Sequence, residues 1–400
     1  MSETATKALL GMSLEELTGL AVASGQPPYR GQQLFDALYS QRVESLDQIT
    51  TLPLPYRLQL VQQGWRIGLP SMNRKFVSSD GTIRYLMGLA DGETVETVWM
   101  PEGDGGEAGD GTDAGDEESE IERGDPAGPP PNPAPERRWR RATICVSSQV
   151  GCALNCRFCL TALLGVKRNL TAGEIVGQIA AVLRDRAVHP PLDRVNIVFM
   201  GMGEPFLNYE NFMKAARLLV EGLRIPDSRM TVSTAGVVPR IADFGREAVR
   251  PKLAISLNAP NDTLRNEIMP HNRKWNLEAL LQAAREFPLR PRERLTFEYV
   301  LLSGVNDTPE HARQVACLIR DMRAKVNLIA LNPGPASPGL ARGGEGPDLP
   351  YRTPERDCVT AFQKVLTAAN IPTFVRRPRG RDIFAACGQL KRTLEIAPAS

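Results

Sequence analysis

Apolar runs of strand length alternate with helical patterns through the second half of the chain. This alternation is typical of parallel strands joined by right-handed helical crossovers, so it predicts an α/β fold that forms an open or closed barrel. In that architecture the functional site lies at the carboxyl ends of the strands. The predicted strands are 194–200, 230–236, 252–258, 294–302 and 325–331. The predicted helices begin at Thr171 and cover 209–223, 276–287, 309–323 and 353–370.

The first half of the chain carries different patterns. Residues 8–65 are predicted to be mostly helical, beginning with a helix whose capping box is formed by Ser13 and Glu16. Residues 74–100 alternate between apolar and polar positions around glycine-containing turns, which predicts antiparallel strands. The predicted units are a small helical N-terminal domain (1–72), a β-strand linker (73–100), a barrel core (137–391) and a tail (392–400).

The segment 101–136 separates these halves and has an unusual composition. It holds eight glycines, seven prolines, twelve acidic residues and one basic residue, which gives it a net charge of −11. Such a segment buries too little apolar surface to fold, so it is predicted to be a disordered insertion. The rest of the chain has 47 basic and 34 acidic residues, or +13. A basic body of this kind suits a polyanionic partner such as nucleic acid, and an inert basic surface fits equally well.

Composition narrows the functional class further. The chain has no secretory signal at its start and no stretch of about 18 apolar residues, so we expect a protein of a reducing compartment without a membrane span. Its three histidines are widely separated, which disfavours a histidine-rich metal site. Of seven cysteines, four fall within residues 145–159, whereas Cys317 and Cys358 fall in helical patterns and are predicted to be core residues.

The strongest chemical signal is the motif Cys152-Ala-Leu-Asn-Cys156-Arg-Phe-Cys159. Its spacing puts three thiolates in one tight loop, and thiolates are the ligands that iron–sulfur clusters prefer. Three cysteines can hold three irons of a [4Fe-4S] cluster and leave the fourth open to S-adenosylmethionine (SAM), whose one-electron cleavage yields a 5′-deoxyadenosyl radical. A zinc site would need a fourth ligand, for which no Cys or His is suitably spaced nearby. Three buried structural cysteines are the remaining alternative.

A second signal is the transition from strand to loop in the segment FMGMGEPFLN. Gly201, Gly203 and Glu204 directly follow an apolar strand, and glycines there allow a ligand to approach the backbone closely. Glu204 and nearby carbonyls are suited to the ammonium of a methionine group. A plain tight turn would explain the same residues.

Several segments between about residue 8 and residue 391 carry a family resemblance. They are PYRGQQLF, VETVWMPE, RRATICVSSQVGCALNCRFC, RNLTAGEIVGQI, NIVFMGMGEPFLNYENF, VSTAGVVP and GRDIFAACGQL. The chain resembles the radical SAM RNA adenine methyltransferases, and within that group the members that methylate C2 of an adenine in 23S rRNA and in certain tRNAs. The resemblance implies a partial (β/α)6 TIM-like barrel of the radical SAM type.

The resemblance also implies roles for three further residues. Cys387 takes a methyl group from a first SAM, and the radical from a second SAM removes a hydrogen from that methyl, so that its carbon adds to C2 of adenine. Glu96 accepts the C2 proton as general base, and Cys145 attacks the Cys387 sulfur to free the product and leave a transient disulfide. From the residues alone, the alternatives are a small buried turn residue for Cys387, a strand-core residue for Cys145 and an exposed strand glutamate for Glu96.

The resemblance implies a set of SAM contacts at or just after strand ends, and Asn258 among them stands where a histidine is usual in the family. It further implies 23S rRNA and tRNA as substrates, an electron donor such as flavodoxin, and a cytoplasmic monomer. The related methylation of C8 of adenine in 23S rRNA would use the same catalytic residues and stays open as the alternative. The implied SAM contacts are Gly203, Glu204, Ser233, Ser256, Leu257, Asn258 and Asn332.

Two regions are candidates for RNA contacts. Four arginines precede Cys387 in the segment VRRPRGRD, where an RNA backbone would lie next to the methyl-carrying cysteine. Tyr29 and Arg30 of the N-terminal domain are the second candidates. The four arginines are Arg376, Arg377, Arg379 and Arg381.

Overall fold

The computed structural model describes residues 7–102, 141–332 and 350–390. Apart from its first two residues, the predicted insertion at 101–136 lies outside this described part, as does the predicted tail at 392–400. Within these three ranges, no helix is both long enough and apolar enough to cross a membrane.

The central strands are buried on both faces, which is typical of a parallel sheet covered by helices. In chain order the strands are β1 (Lys7–Ala8), β2 (Trp65–Arg66), β3 (Ser71–Val77), β4 (Ile83–Gly88), β5 (Thr94–Glu102), β6 (Arg141–Cys145), β7 (Gln149–Gly151), β8 (Val166–Asn169), β9 (Val195–Phe199), β10 (Met230–Thr234), β11 (Lys252–Ser256), β12 (Leu295–Leu301), β13 (Ala324–Ala330) and β14 (Thr373–Val375).

Ten of these strands form one sheet in the spatial order β14-β13-β12-β11-β10-β9-β6-β5-β4-β3. The strands from β14 to β6 run parallel, and β5, β4 and β3 extend the sheet by antiparallel pairing. This arrangement confirms the predicted α/β class, with β6 and β9 to β13 as the six parallel strands of the partial barrel. The short strand β14 adds a seventh parallel strand that the sequence patterns do not predict.

Helices alternate with the parallel strands as predicted, and two capping boxes explain where helices begin. Ser13 with Glu16 caps the first helix, and Thr171 with Glu174 caps the helix after the cysteine motif. The helices are α1 (Leu14–Ala23), α2 (Tyr29–Phe35), α3 (Leu54–Gln62), α4 (Leu160–Leu163), α5 (Ala172–Asp185), α6 (Tyr209–Glu221), α7 (Val238–Gly245), α8 (Asp262–Ile268), α9 (Leu277–Glu286), α10 (Pro309–Ile319) and α11 (Arg356–Ala368).

One hydrophobic core extends from the N-terminal helices through the sheet to α11. Leu17 of α1, Leu34 of α2 and Phe362 of α11 are all fully buried members of it. α1 and α2 pack closely because Gly31 has no side chain, since a Cβ there would lie 2.5 Å from Cα of Thr18. The helical N-terminal segment is therefore packed onto the barrel through a shared core.

The prediction that both helical cysteines are core residues is wrong for Cys317. The buried stripe of α10 consists of Ala312, Val315, Ala316 and Ile319, which leaves position 317 on the exposed face. Cys358 on α11 is half-buried.

Candidate active site

The carboxyl ends of the parallel strands surround an open cleft. This is where the strand–helix alternation predicts a ligand site. Most of the predicted site residues meet there, whereas the side chains of Cys145, Glu96 and Leu257 are not part of its lining. The predicted residues that line the cleft are Cys152, Cys156, Cys159, Gly203, Glu204, Ser233, Ser256, Asn258, Asn332 and Cys387.

The three-cysteine loop is held by the small hairpin of β7 and β8, which the sequence patterns do not predict. The backbone N–H of Cys152 donates to the carbonyl of Gly165 at 3.0 Å. Gly151 has a φ of +82°, and a Cβ there would lie 1.7 Å from the carbonyl oxygen of Gly165, so the two hairpin arms approach only because position 151 is glycine. The hairpin thus presents the cysteines to the cleft.

The chemistry of these thiols fits a polynuclear cluster. Burial raises the pKa of Cys152 to about 12 and that of Cys156 well above the ordinary range, and the neighbouring cysteine sulfurs raise both further. Thiols that share one apolar pocket in this way become thiolates when positive metal centres bind. Among the described residues, no three His, Cys, Asp or Glu side chains converge on a single metal ion.

Glu204 is a buried carboxylate that joins two strand-end loops. Its Oε2 accepts a hydrogen bond from the backbone N–H of Ala235 at 2.8 Å, and its Oε1 accepts one from Phe206 at 3.0 Å. Burial raises the pKa of Glu204 to about 7, these hydrogen bonds oppose that shift, and no cation contributes to it. A buried carboxylate in this state is suited to receive a cationic ligand group.

Glu298 on β12 is a cleft residue that the sequence analysis missed. Its Oε2 accepts a hydrogen bond from Oγ of Ser233 at 3.1 Å, and Ser233 in turn lies 3.2 Å from Oγ of Ser256. Its Oε1 lies 3.5 Å from Nη1 of Arg376, so this arginine of the C-terminal cluster points toward the cleft. The available sequence signal is a lone carboxylate within an otherwise apolar strand, since burial of a carboxylate is costly unless it has partners.

The strand-end loops carry two further structural surprises. Asn258 lines the cleft in a left-handed conformation (φ +57°), which asparagine tolerates better than most residues, and its Oδ1 accepts from the N–H of Val300 at 2.8 Å. The fully buried Arg265 donates to the carbonyls of Leu257 and Ala235 at 2.9 and 2.7 Å. These bonds fix the shape of the loops around the cleft.

Cys387 and Cys145 are neighbours across the cleft wall. Cys387 is accessible to solvent through the cleft, and Cys145 is buried at the end of β6. Burial raises the pKa of both thiols, and Cys387 adds to the shift of Cys145. Arg376 lowers both pKa values, and Glu298 raises them. Both thiols are free.

Glu96 lies one strand away from Cys145, on β5, and its surroundings exclude the exposed-strand alternative. Its side chain and that of Arg84 on β4 are fully buried and form an ion pair. The guanidinium of Arg84 also packs over Phe76, 4.2 Å from the ring centre. The structure therefore holds the predicted general base in a buried pair beside the cleft.

Comparison with known proteins agrees with this geometry. Residues 146–315 match the model of the radical SAM superfamily. A "probable dual-specificity RNA methyltransferase RlmN" from Koribacter versatilis is 58% identical, over 92% of this chain and 97% of that protein. The "dual-specificity RNA methyltransferase RlmN" of Syntrophobacter fumaroxidans is 41% identical, over 94% and 96%.

A solved structure is similar over nearly the whole chain. The crystal structure of a radical SAM methyltransferase from Sphaerobacter thermophilus has a TM-score of 0.80 and 38% sequence identity to this chain. The match covers 96% of this chain and 99% of that one, so it includes the N-terminal helices and the antiparallel extension of the sheet.

Proposed function

The chain belongs to the dual-specificity RNA methyltransferases of the radical SAM superfamily, and from this membership we propose that it methylates C2 of adenine in 23S rRNA and in tRNA. The target bases would be an adenine of the peptidyl transferase centre and the adenine 3′ of the anticodon. The observation that carries the proposal is the cleft that joins three cysteines, spaced for an open-iron cluster, to Cys387. The buried Cys145 lies beside them.

Superfamily membership implies a [4Fe-4S] cluster and SAM. In our proposal Cys152, Cys156 and Cys159 hold the cluster, one thiolate to each of three irons. When bound, the cluster supplies the electron that cleaves SAM into methionine and the 5′-deoxyadenosyl radical. A protein donor such as flavodoxin would deliver that electron, to an enzyme that acts as a monomer in the cytoplasm.

SAM would occupy the cleft along the strand ends. Gly203 has no side chain, so the methionine group can approach its backbone closely. Glu204 would bind the ammonium, which would give this buried carboxylate a cationic partner. Ser233, Ser256 and Asn332 offer hydrogen bonds from successive strands. Asn258 and the backbone of Leu257 complete this set, with Asn258 also holding β12 in place.

Cys387 would carry the methyl group in transit. Its sulfur accepts a methyl from one SAM by displacement, and its methyl carbon, after losing a hydrogen atom to the radical from a second SAM, forms the bond to C2 of adenine. Adenine C2 is electron-poor, so it cannot attack the methyl group of SAM as a nucleophile. A carbon radical can add to it. The adduct would then lose the C2 proton and one electron, which would return to the oxidised cluster. The Cys145 thiolate would attack the Cys387 sulfur, the carbon–sulfur bond would break, and the released carbon would take up a proton to become the methyl group of the RNA, which leaves a disulfide for a cellular thiol to reduce.

Glu96 would take the proton from C2. Arg84 keeps its carboxylate in the buried layer next to Cys145, so the adenine has to be unstacked from the RNA and inserted deeply to reach it. The exposed Arg377 and Arg381 precede Cys387 by ten and six residues and are suited to phosphate contacts.

The deciding experiment incubates the anaerobically reconstituted enzyme with SAM, a reductant and either a 23S rRNA fragment or tRNA. Mass spectrometry of the digested RNA should find 2-methyladenosine from both. Appearance of 8-methyladenosine would support the C8 alternative, and absence of any methyladenosine together with absence of 5′-deoxyadenosine would overturn the proposal.

A variant tests the two-cysteine scheme separately. Cys145→Ala should accumulate RNA covalently attached to the protein, because the attack that releases the product is lost. Cys317→Ala, which removes an exposed thiol on α10, is the matched control and should release methylated RNA normally.

A further inference from the structure

The segment that carries Cys387, residues 380–390, is attached to the turn of the β3–β4 hairpin, residues 78–82. The Oδ1 of Asp382 accepts a hydrogen bond from Oγ of Ser78 at 2.5 Å, and its Oδ2 accepts one from the N–H of Ser79 at 3.1 Å. In the reverse direction, Oδ2 of Asp80 accepts a hydrogen bond from the N–H of Gly380 at 2.9 Å. Two carboxylates thus bind the segment to the turn from both sides.

The segment is shaped to fit this turn. Gly380 has a left-handed φ of +59°, and a Cβ there would lie 2.7 Å from Cβ of Ala385 and 2.9 Å from Cγ2 of Thr82. Burial raises the pKa of Asp80, but hydrogen bonds from Gly380 and Thr82 outweigh it, so that the pKa is lowered. The contact is therefore close and favours an ionised Asp80.

The hairpin turn lies at the same end of the strands as Cys145. On neighbouring strands, Arg84 pairs with Val98, and Val98 pairs with Cys145. The turn at 78–82 ends two residues before Arg84, which lies at the start of β4. A group fixed to the turn is thus fixed, through three hydrogen-bonded strands, to Cys145.

The other end of the segment is attached to the cluster side of the cleft. The carbonyl of Gly388 accepts a hydrogen bond from the N–H of Leu160 at 2.9 Å, one residue after the last motif cysteine. The carbonyl of Leu390 accepts one from Oγ1 of Thr161 at 2.7 Å. Cys387 therefore lies between the attachment at residues 380–382 and the attachment at residues 388–390.

We propose that Asp382 and Asp80 are positioning residues that set where Cys387 lies relative to Cys145 and to the SAM cleft. The inference rests on the proposed roles of the two cysteines. Each of the four reactions of Cys387, with the first SAM, the radical, the adenine and Cys145, needs its sulfur or methyl group within contact distance of a different partner, and small displacements of a reacting atom reduce such rates strongly. Both carboxylates are exposed at the rim rather than part of the core, so their replacement leaves the fold intact.

The first test measures hydrogen exchange of the full-length protein, with and without reconstituted cluster. In Asp382→Ala, amides of 380–390 should exchange roughly tenfold faster, because two hydrogen bonds to a carboxylate are lost. In Asp382→Asn, the exchange rate of these amides should lie between those of Asp382→Ala and the parent, since the side-chain carbonyl oxygen can still accept one hydrogen bond. Asp321→Ala removes an exposed carboxylate elsewhere and should match the parent.

The second test separates positioning from a general loss of stability. We expect Asp382→Ala to form several-fold more 5′-deoxyadenosine per methyl transferred to RNA, because the radical forms without the methyl of Cys387 in place. Loss of active protein alone would lower both products in parallel and leave the ratio unchanged.

If Asp382→Ala keeps the parental exchange rates, or keeps the parental ratio while the parent methylates RNA, the inference is wrong and the proposed function stands. If the parent itself transfers no methyl group to RNA, the proposed function fails and the inference fails with it. Faster exchange together with a raised ratio, partly restored in Asp382→Asn, supports the inference.

Discussion

The buried Glu204 gives a prediction about stability that can be made without any ligand. Its carboxylate has two backbone donors and no cationic partner within the part of the chain that the structure describes, and its pKa is raised to about 7 from an ordinary 4.5 because burial penalises the charge. Glu204→Gln mimics the protonated side chain and carries no charge at any pH. The stability of the variant relative to the parent should therefore increase as the pH rises.

The size of the effect follows from the two pKa values. The folded state keeps the proton of Glu204 to higher pH than the unfolded state, so the contribution of this group to stability is full below pH 4.5 and is lost as the pH rises through 7. The whole difference corresponds to about 3 kcal/mol, of which about 2.5 kcal/mol falls between pH 5 and pH 8. That is a large fraction of the stability of an ordinary domain.

The assay is urea unfolding of the cluster-free parent and Glu204→Gln, followed by circular dichroism at pH 5, 6, 7 and 8. Other titrating groups are present in both proteins and cancel in the difference. Asp321→Asn, at an exposed carboxylate, is the control and should show no such trend. A difference between Glu204→Gln and the parent that stays constant from pH 5 to pH 8 would refute the reasoning.

Three further predictions concern the cluster loop, the buried ion pair and the half-buried His271. Cys159→Ala should form no brown chromophore on anaerobic reconstitution with iron and sulfide, whereas Cys317→Ala should; an unchanged spectrum in Cys159→Ala would contradict the ligand assignment. Arg84→Met should lower the free energy of unfolding by about 3–5 kcal/mol, because it removes a fully buried cation that pairs with the fully buried Glu96, and a loss below 1 kcal/mol in urea titration would count against that pair. Burial, helped by Arg265, lowers the pKa of His271 to about 4, so its contribution to stability is full above pH 6.5 and is lost as the pH falls toward 4. The free energy of unfolding should fall between pH 7 and pH 4 by about 2–3 kcal/mol less in His271→Gln than in the parent. An equal fall in both proteins would argue against an imidazole that stays neutral in the folded state.

The sequence patterns predict the regular part of this fold well. Each of the five predicted parallel strands is present within one or two residues of its expected ends, since fully buried strands are continuous apolar runs flanked by turns. The capping boxes at Ser13 and Thr171 are confirmed for a similar reason, because the two partners of each box are only three residues apart in the chain. Local signals predict local structure.

Features that depend on distant partners are not visible in the sequence. The β7–β8 hairpin is too short to show periodicity, and it exists because Gly151 admits the opposite arm. Glu298 becomes a cleft residue only through Ser233 and Arg376, which lie 65 and 78 positions away in the chain. Likewise, alternation along β5 places Glu96 on one face of the strand but cannot show that Arg84 on β4 covers that face.

The boundary of the superfamily match has a structural meaning. The matched residues, 146–315, contain the three cluster cysteines and most of the proposed SAM contacts. The residues proposed for methyl transfer, Glu96, Cys145 and Cys387, all lie outside that range. The sheet brings them together because β5 pairs with β6, which is the first of the parallel strands in the chain. The C-terminal segment returns to the turn of the β3–β4 hairpin next to them. In the proposed mechanism the parallel barrel would thus provide for radical formation, and the antiparallel extension together with the C-terminal segment would determine which atom the radical chemistry reaches.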